Sequence, residues 1–412
     1  MFKPGKITFI LDGSAGSSAK SLRGANIWKY HKKKHTKFAV NTFMENAAHT
    51  VTHRDGREYI HQCLSSITSL GDYDKQFLSP GCVFAEETFL NEVKLLNDHI
   101  HNNQIAIHPN VAIVTQKDVD YERGICDFEG NKKEIQNSAN LSIGSTLHGV
   151  GAARARRILR RKDVLLAKDV PALQPYIVNT HHEIMKRLES GESALGEIAQ
   201  GYQLSLFSNF YPKCTSRNCS VSAFLDDSLL PPSVAGPVVV NFRTFPIRVN
   251  SNKYIRKSDK KILTWDEFNN TIESDKYIIN GDSGGCYNDQ EELTWEDISN
   301  QAGKKIFEQT SLTKLPRRVY SFSNINMIEA LKYNNTGDDQ YVSINFMNYV
   351  DGSVEGKTEI KEILTKKVVS WLHSNVLYNI PSSVKGIFIS AWKTIDDSVY
   401  IPIEYFSNKT TA

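Results

Sequence analysis

Apolar positions along this chain fall into short runs separated by polar, helix-compatible stretches. Lys6-Ile7-Thr8-Phe9-Ile10-Leu11 is a β-rich run that stops at Asp12-Gly13, which predicts a strand followed by a tight turn. The next segment, Ser14 to Ser21, is small and polar and leads into a helix-compatible stretch. Val111-Ala112-Ile113-Val114 and Val238-Val239-Val240 are almost wholly apolar, the pattern of strands covered on both faces. Helices are predicted over Glu86–Asn97 and Ala152–Leu166. Strands alternating with helices predict an α/β fold, with a central, mostly parallel sheet flanked by helices. Residues 250–280, rich in Ser, Asn, Lys and Asp, read as a surface insertion. No repeat, low-complexity tract or linker interrupts the rest, so residues 1–412 are read as one large domain.

Composition narrows the class. With 412 residues, 40% hydrophobic and 23% charged, the chain is neither collagen-like, coiled-coil nor largely disordered. Its 49 Lys and Arg against 46 Asp and Glu leave a net charge of +3, too small for the whole surface to attract nucleic acid. A polyanion must be met at a local patch. The densest, Arg154 to Lys162, reads alone as a solvated helix face or a nucleic-acid patch, and Lys32-Lys33-Lys34 as a solvated run. No apolar run reaches the roughly 18 residues of a membrane span, and Met1-Phe2-Lys3-Pro4 opens directly into a strand-like stretch. The expectation is a soluble cytoplasmic protein with no membrane partner. Six scattered cysteines form no CxxC pair or Cys/His cluster, so free thiols are expected rather than zinc or a disulfide framework.

One pair of motifs misleads. Gly281-Asp282-Ser283-Gly284-Gly285 spells the nucleophile loop of trypsin-like proteases, and Asn46-Ala47-Ala48-His49-Thr50 is similar to the segment around their histidine. Such enzymes are all-β, secreted and disulfide-rich, whereas helical stretches separate the strands here, and a Gly-rich pentapeptide also makes an ordinary tight turn. The protease reading is set aside.

The segment Gly13-Ser14-Ala15-Gly16-Ser17-Ser18-Ala19-Lys20-Ser21 lies between a strand and a helix, where backbone N–H groups and a helix N-terminus can cradle phosphate. It is not a Walker A loop, because Ala19 stands where the glycine before the lysine is expected. Colinear blocks complete the pattern: Asn46-Ala47-Ala48-His49-Thr50-Val51, Gly144-Ser145-Thr146-Leu147-His148-Gly149-Val150-Gly151 followed by Arg160-Arg161, Glu197-Ile198-Ala199-Gln200-Gly201, and Tyr211-Pro212-Lys213-Cys214-Thr215-Ser216-Arg217-Asn218. In order and spacing they resemble the blocks of the adenylosuccinate synthetase family, over about residues 7 to 350.

That resemblance implies a P-loop-related α/β fold and a dimeric ligase that forms a C–N bond at purine C6 in two steps. A nucleoside triphosphate phosphorylates the 6-oxygen, and the α-amine of aspartate then displaces phosphate. It implies Mg2+ as cofactor, and a purine nucleoside monophosphate, L-aspartate and the triphosphate as substrates. By position, His49 is the general acid and Gln200 supports O6. Asn46, Thr146, Arg160, Gln200, Leu204 and Thr215 hold the monophosphate, with Arg160 reaching the partner's site of a homodimer. Thr313 and Arg317 hold aspartate. Gly13, Gly16, Ser17, Ser18, Lys20, Asn345 and Asn348 hold the triphosphate, and Ser14 with the backbone of Ala48 touches the metal.

Departures from the family pattern refine the expectation. Ser14 replaces the family's catalytic aspartate, removing the base for purine N1 and leaving room for a 2-amino group, a change shared with the phage branch that makes 2-aminoadenine precursors from dGMP. Leu315 replaces an arginine that contacts the ribose, which suits deoxyribose. In Asn345-Phe346-Met347-Asn348 an amide replaces the carboxylate that reads guanine, which suits ATP or dATP, because an amide matches adenine's donor and acceptor. Ala48 replaces a glycine near the metal, and Lys20 is displaced from the expected phosphate lysine. The reading is an ATP- or dATP-dependent ligase condensing dGMP with L-aspartate for 2-aminoadenine DNA synthesis, acting in the host cytoplasm if viral. Its alternatives are an ordinary IMP- and GTP-using synthetase and a catalytically dead nucleotide-binding homologue.

Overall fold

The computed structural model describes residues 1–101, 103–132, 143–259, 261, 263–310 and 314–407. Its main sheet has nine strands, in chain order β1 Ile7–Asp12, β2 Thr36–Asn41, β3 Lys75–Leu78, β4 Ile105–Ile107, β5 Ser193–Glu197, β6 Ala235–Arg243, β7 Gln340–Asn345, β8 Val384–Ser390 and β9 Ser398–Pro402. Their spatial order is β9-β8-β7-β6-β1-β5-β2-β3-β4. Neighbours are parallel except at the β8–β9 edge.

Side chains alternate between the two faces of a strand, and here both faces are covered. Ile7, Phe9 and Leu11 of β1 join Phe38, Val40, Val238 and Val240 in one hydrophobic cluster. Ile10, Ala39 and Val239, the residues between them, join a second cluster with Ile27 and Trp28. Those last two belong to helix α1, Lys20–His31, which covers that face. Each large apolar side chain so buried contributes about 1.5–3 kcal/mol, which is why these runs are apolar without interruption.

From β1 the chain moves to β2, β3 and β4 on one side, returns to β5 between β1 and β2, and then builds β6 to β9 on the other side. The switch point is therefore at β5-β1-β6. In open α/β sheets the crevice beyond the carboxyl ends of such strands is where ligands bind.

The sequence reading needs three corrections. Val111–Val114 does not enter the main sheet. Only Ala112–Ile113 is a strand, in a small sheet between Val83–Phe84 and Leu165–Leu166. The helix expected over Ala152–Leu166 runs from Val150 to Ile158, because Arg160 turns into the left-handed region at φ 53 and Leu165–Leu166 pairs as a strand. The helix expected to reach Asn97 ends at Leu95, and Asn97–His99 continues as a 3-10 turn. Within 250–280, Lys253–Arg256 and Lys276–Ile279 form an antiparallel pair outside the main sheet, joined through a helix at Trp265–Asn270.

Candidate active site

The loop after β1 folds around the carboxylate of its own strand's last residue. Asp12, buried, accepts the backbone N–H of Ser14 at 2.8 Å and of Ser18 at 2.9 Å. Burial raises its pKa, against the opposing pull of Lys20. Lys20 is buried as well and donates its ammonium to the Gln200 carbonyl at 2.9 Å, with its own pKa lowered by burial. Asn345 donates to the Ser18 carbonyl at 2.7 Å and accepts from Arg23 Nη2 at 3.0 Å. Arg243, at the end of β6, donates to the Ser17 carbonyl at 3.1 Å, and its guanidinium lies over the Phe346 ring. The loop is thus tied to β1, β6 and β7. Ser17 and Ala19 hold φ near 59, a strained state for non-glycine residues that the surrounding contacts fix. Gly201 closes the other side, where a Cβ would collide with the Ser14 carbonyl and sit 2.6 Å from Gly16 N.

The segments after β2 and β5 face the same crevice. His49 begins a short strand paired with Glu58–His61 and lies against the Phe43 ring, centroids 4.1 Å apart. Burial first, then Lys20 and His61, hold its pKa well below 6.5, so the imidazole is neutral at pH 7. Gln200, at φ 51, donates to Asn46 Oδ1 at 2.6 Å. Thr215 is anchored by its backbone N–H to the Leu204 carbonyl at 2.8 Å, with Leu204 half-buried. His49 Nε2, Gln200 Oε1, Thr215 Oγ1 and Ser18 Oγ are all buried without a hydrogen-bond partner. Such atoms cost about 1–3 kcal/mol each where nothing meets them, and these four all belong to the segments that follow the central strands.

The remaining expected residues lie further out. Asn348 donates to Glu355 Oε2 at 3.1 Å while its Oδ1 lacks a partner. Leu315 is buried, and Arg317 donates to the Gln309 carbonyl at 3.2 Å. Thr313 lies outside the described residues. Thr146 is exposed in the loop before the Val150–Ile158 helix, and Arg160 is exposed just beyond it. Among the described residues its guanidinium has no ion pair or hydrogen bond. Ala48 is exposed beside His49.

Among the described residues no group of three His, Cys, Asp or Glu side chains could hold a metal. Ser14 Oγ receives only a long 3.4 Å contact from Asn326 Nδ2, so it keeps a lone pair free. One hydroxyl and one carbonyl fit Mg2+ only as minor ligands of an ion carried chiefly by triphosphate oxygens and water.

Sequence reasoning singled out Ser14, His49, Gln200 and Thr215, which the structure places on the segments after β1, β2 and β5, but missed the scaffold of Asp12, Arg23, Arg243 and Asn326. Only Asp12 carried a signal, as the polar residue ending a buried strand. The protease motif is structural. Ser283 donates to the Val249 carbonyl at 2.8 Å and accepts from Arg318, and no histidine is among its partners.

This fold and site define a ligase of the adenylosuccinate synthetase type. No protein-family model matches the chain. The N6-succino-2-amino-2'-deoxyadenylate synthase of Vibrio phage phiVC8 is 31% identical over 350 residues, covering 84% of this chain and 86% of that one. The adenylosuccinate synthetase of Archaeoglobus fulgidus is 29% identical over 249 residues, 60% of this chain and 67% of that one. The succinoaminodeoxyadenylate synthetase (PurZ) of cyanophage S-2L, solved bound to dGMP and dATP as an energy donor, shares the fold with a TM-score of 0.70 at 24% identity, covering 98% of this chain and 97% of that one. The chain belongs to the N6-succino-2-amino-2'-deoxyadenylate synthase family. No helix among the described residues is long and apolar enough to cross a membrane.

Proposed function

We propose that this chain condenses dGMP with L-aspartate at purine C6, using ATP or dATP, to give N6-succino-2-amino-2'-deoxyadenylate. The γ-phosphoryl group passes to O6, releasing the diphosphate as the N1 proton passes to water. The α-amine of aspartate then attacks C6 and expels inorganic phosphate. Ser14 carries the reading. It is a small neutral hydroxyl, 1% exposed, two residues beyond the central strand, where a bulkier carboxylate would crowd a 2-amino group.

His49 supports the phosphoryl step. Its neutral ring offers an N–H to the bridging oxygen, and negative charge gathering on the phosphoryl group raises its affinity for a proton at the moment one is needed. Gln200, steadied by Asn46, has a free carbonyl oxygen and an amide that can turn toward O6. Thr215 and Ser18 hydroxyls are placed for phosphate oxygens, and Asn348, with Phe346 beside it, for the adenine of the triphosphate. Mg2+, when bound, neutralises the triphosphate charge, with Ser14 and the Ala48 carbonyl as its protein contacts. Arg317 is the aspartate contact, joined by Thr313 from the family pattern.

Exposed Ile158 and Leu159, at 66% and 61%, precede Arg160. An apolar pair next to an exposed arginine favours a homodimer in which Arg160 clamps the partner's 5′-phosphate. The chain is read as one domain, with residues 250–280 as a surface insertion. Phosphate release measured with dGMP, GMP, IMP and dAMP, each with aspartate and ATP, tests the function. Turnover is expected with dGMP, and binding without turnover of any of them would mark a nucleotide-binding homologue instead.

A further inference from the structure

Asn326 is a buried polar residue beside Ser14 that the reaction scheme leaves unexplained. It sits in the first turn of the Asn324–Tyr333 helix, 2% exposed, with Met327 beside it in the core. That turn is rigidly held. Ser323 accepts the Asn326 backbone N–H at 2.9 Å, and Asp289 accepts from the Ser323 hydroxyl at 2.6 Å and from Ile325 N at 3.0 Å. The side-chain amide reaches across the fold to Ser14 Oγ, 3.4 Å from Nδ2, and its Oδ1 is buried with no partner. Turning the amide over leaves its NH2 group unpartnered instead, so one polar end is orphaned either way. An apolar residue of similar size would avoid that cost, so the amide is suited to a partner that arrives with the substrate.

Resting on the proposed use of dGMP, we infer that Asn326 is a specificity-determining residue that reads the 2-amino group of the purine. Guanine presents donors at N1 and at the 2-amino group, whereas hypoxanthine has only a C–H at position 2. Asn326 Nδ2–H orients the Ser14 hydroxyl, and Asn326 Oδ1 accepts from the 2-amino group. Hypoxanthine would leave that oxygen buried and unpaired, and a site built to bond a polar group rejects an analogue lacking it far more strongly than a missing methylene would cause. Ser14 thus makes room for the amino group, and Asn326 bonds it.

The test compares dGMP with dIMP, which differ only in that group, as substrates of the full-length enzyme with aspartate and ATP. Asn326→Ala is expected to lower kcat/KM for dGMP about 10- to 100-fold while changing that for dIMP less than about threefold. Asn326→Asp keeps acceptor oxygens and is expected to keep the dGMP/dIMP ratio within about threefold of the wild type. Equal losses on both substrates in Asn326→Ala, or a ratio in Asn326→Asp that collapses as it does in Asn326→Ala, would overturn the assignment. If Asn326→Ala fails to fold, Asn326→Asp and the wild-type preference for dGMP over dIMP still decide it. A wild-type enzyme that turns over neither nucleotide would sink the proposed function itself, a result distinct from an unchanged ratio.

Discussion

The loop after β1 and the segments after β2 and β5 meet at one crevice yet treat their polar groups in opposite ways. In the loop, the Ser14 and Ser18 amides are spent on Asp12, the Lys20 ammonium on the Gln200 carbonyl, and the Ser17 and Ser18 carbonyls on Arg243 and Asn345. Across the crevice, His49 Nε2, Gln200 Oε1 and Thr215 Oγ1 are left without partners. In the first region the backbone groups and the Lys20 ammonium are satisfied and hold strained backbone in place, with the Ser18 hydroxyl left over. The second leaves side-chain bonding capacity unused, which the proposed function assigns to the ligand, so the two should respond to substitution in different observables.

The largest effect is expected on the ligand-facing side. His49→Ala and Gln200→Ala should each lower kcat by about 10²- to 10³-fold, the loss typical of removing a charge-stabilising donor, with little change in unfolding midpoint. Near-full turnover by either variant would remove that residue from the chemistry. On the scaffold side, Asp12→Ala strands two buried N–H groups and removes the charge that opposes Lys20, and urea unfolding should show a loss of about 2–5 kcal/mol. A change below about 1 kcal/mol would show that the loop does not depend on Asp12.

Arg160 sharpens the contrast by belonging to neither region of its own chain. Mixing Arg160→Ala subunits with His49→Ala subunits should restore activity toward about a quarter of wild type, because half the dimers are hybrids and each hybrid has one intact site. Two inactive variants that stay inactive when mixed would contradict a clamp across the interface.

The smallest effect is on pH. His49 lies well below 6.5 and His108 is lowered to about 4, burial being the first cause for both. The unfolded chain therefore takes up protons that the folded chain refuses, so stability should fall as pH drops from about 6.5 toward 4. His108→Gln should flatten that slope in urea titrations at pH 7 and pH 5, and an unchanged slope would place the proton uptake elsewhere.

Legibility followed the same division. β1 and β6 could be read because strands buried on both faces leave continuous apolar runs. β3, Lys75–Leu78, and β4, Ile105–Ile107, are too short to leave one. Val111–Val114 has the same apolar pattern as a main-sheet strand, and pattern alone does not say which sheet it joins. Ser14, His49, Gln200 and Thr215 stood out because they sit in colinear blocks next to strand ends. Arg23, Arg243 and Asn326 act through contacts with residues hundreds of positions away, and nothing local to them announces those contacts.

The central claim is that Ser14, in place of a carboxylate, turns this fold toward a 2-aminopurine. Steady-state kcat/KM for dGMP and IMP, each with ATP, dATP and GTP, in wild type and in Ser14→Asp, tests it most directly. The account predicts that the wild type prefers dGMP with ATP or dATP, and that Ser14→Asp moves selectivity toward IMP. A wild-type preference for IMP with GTP, or a Ser14→Asp variant whose dGMP-to-IMP ratio is unchanged, would contradict it.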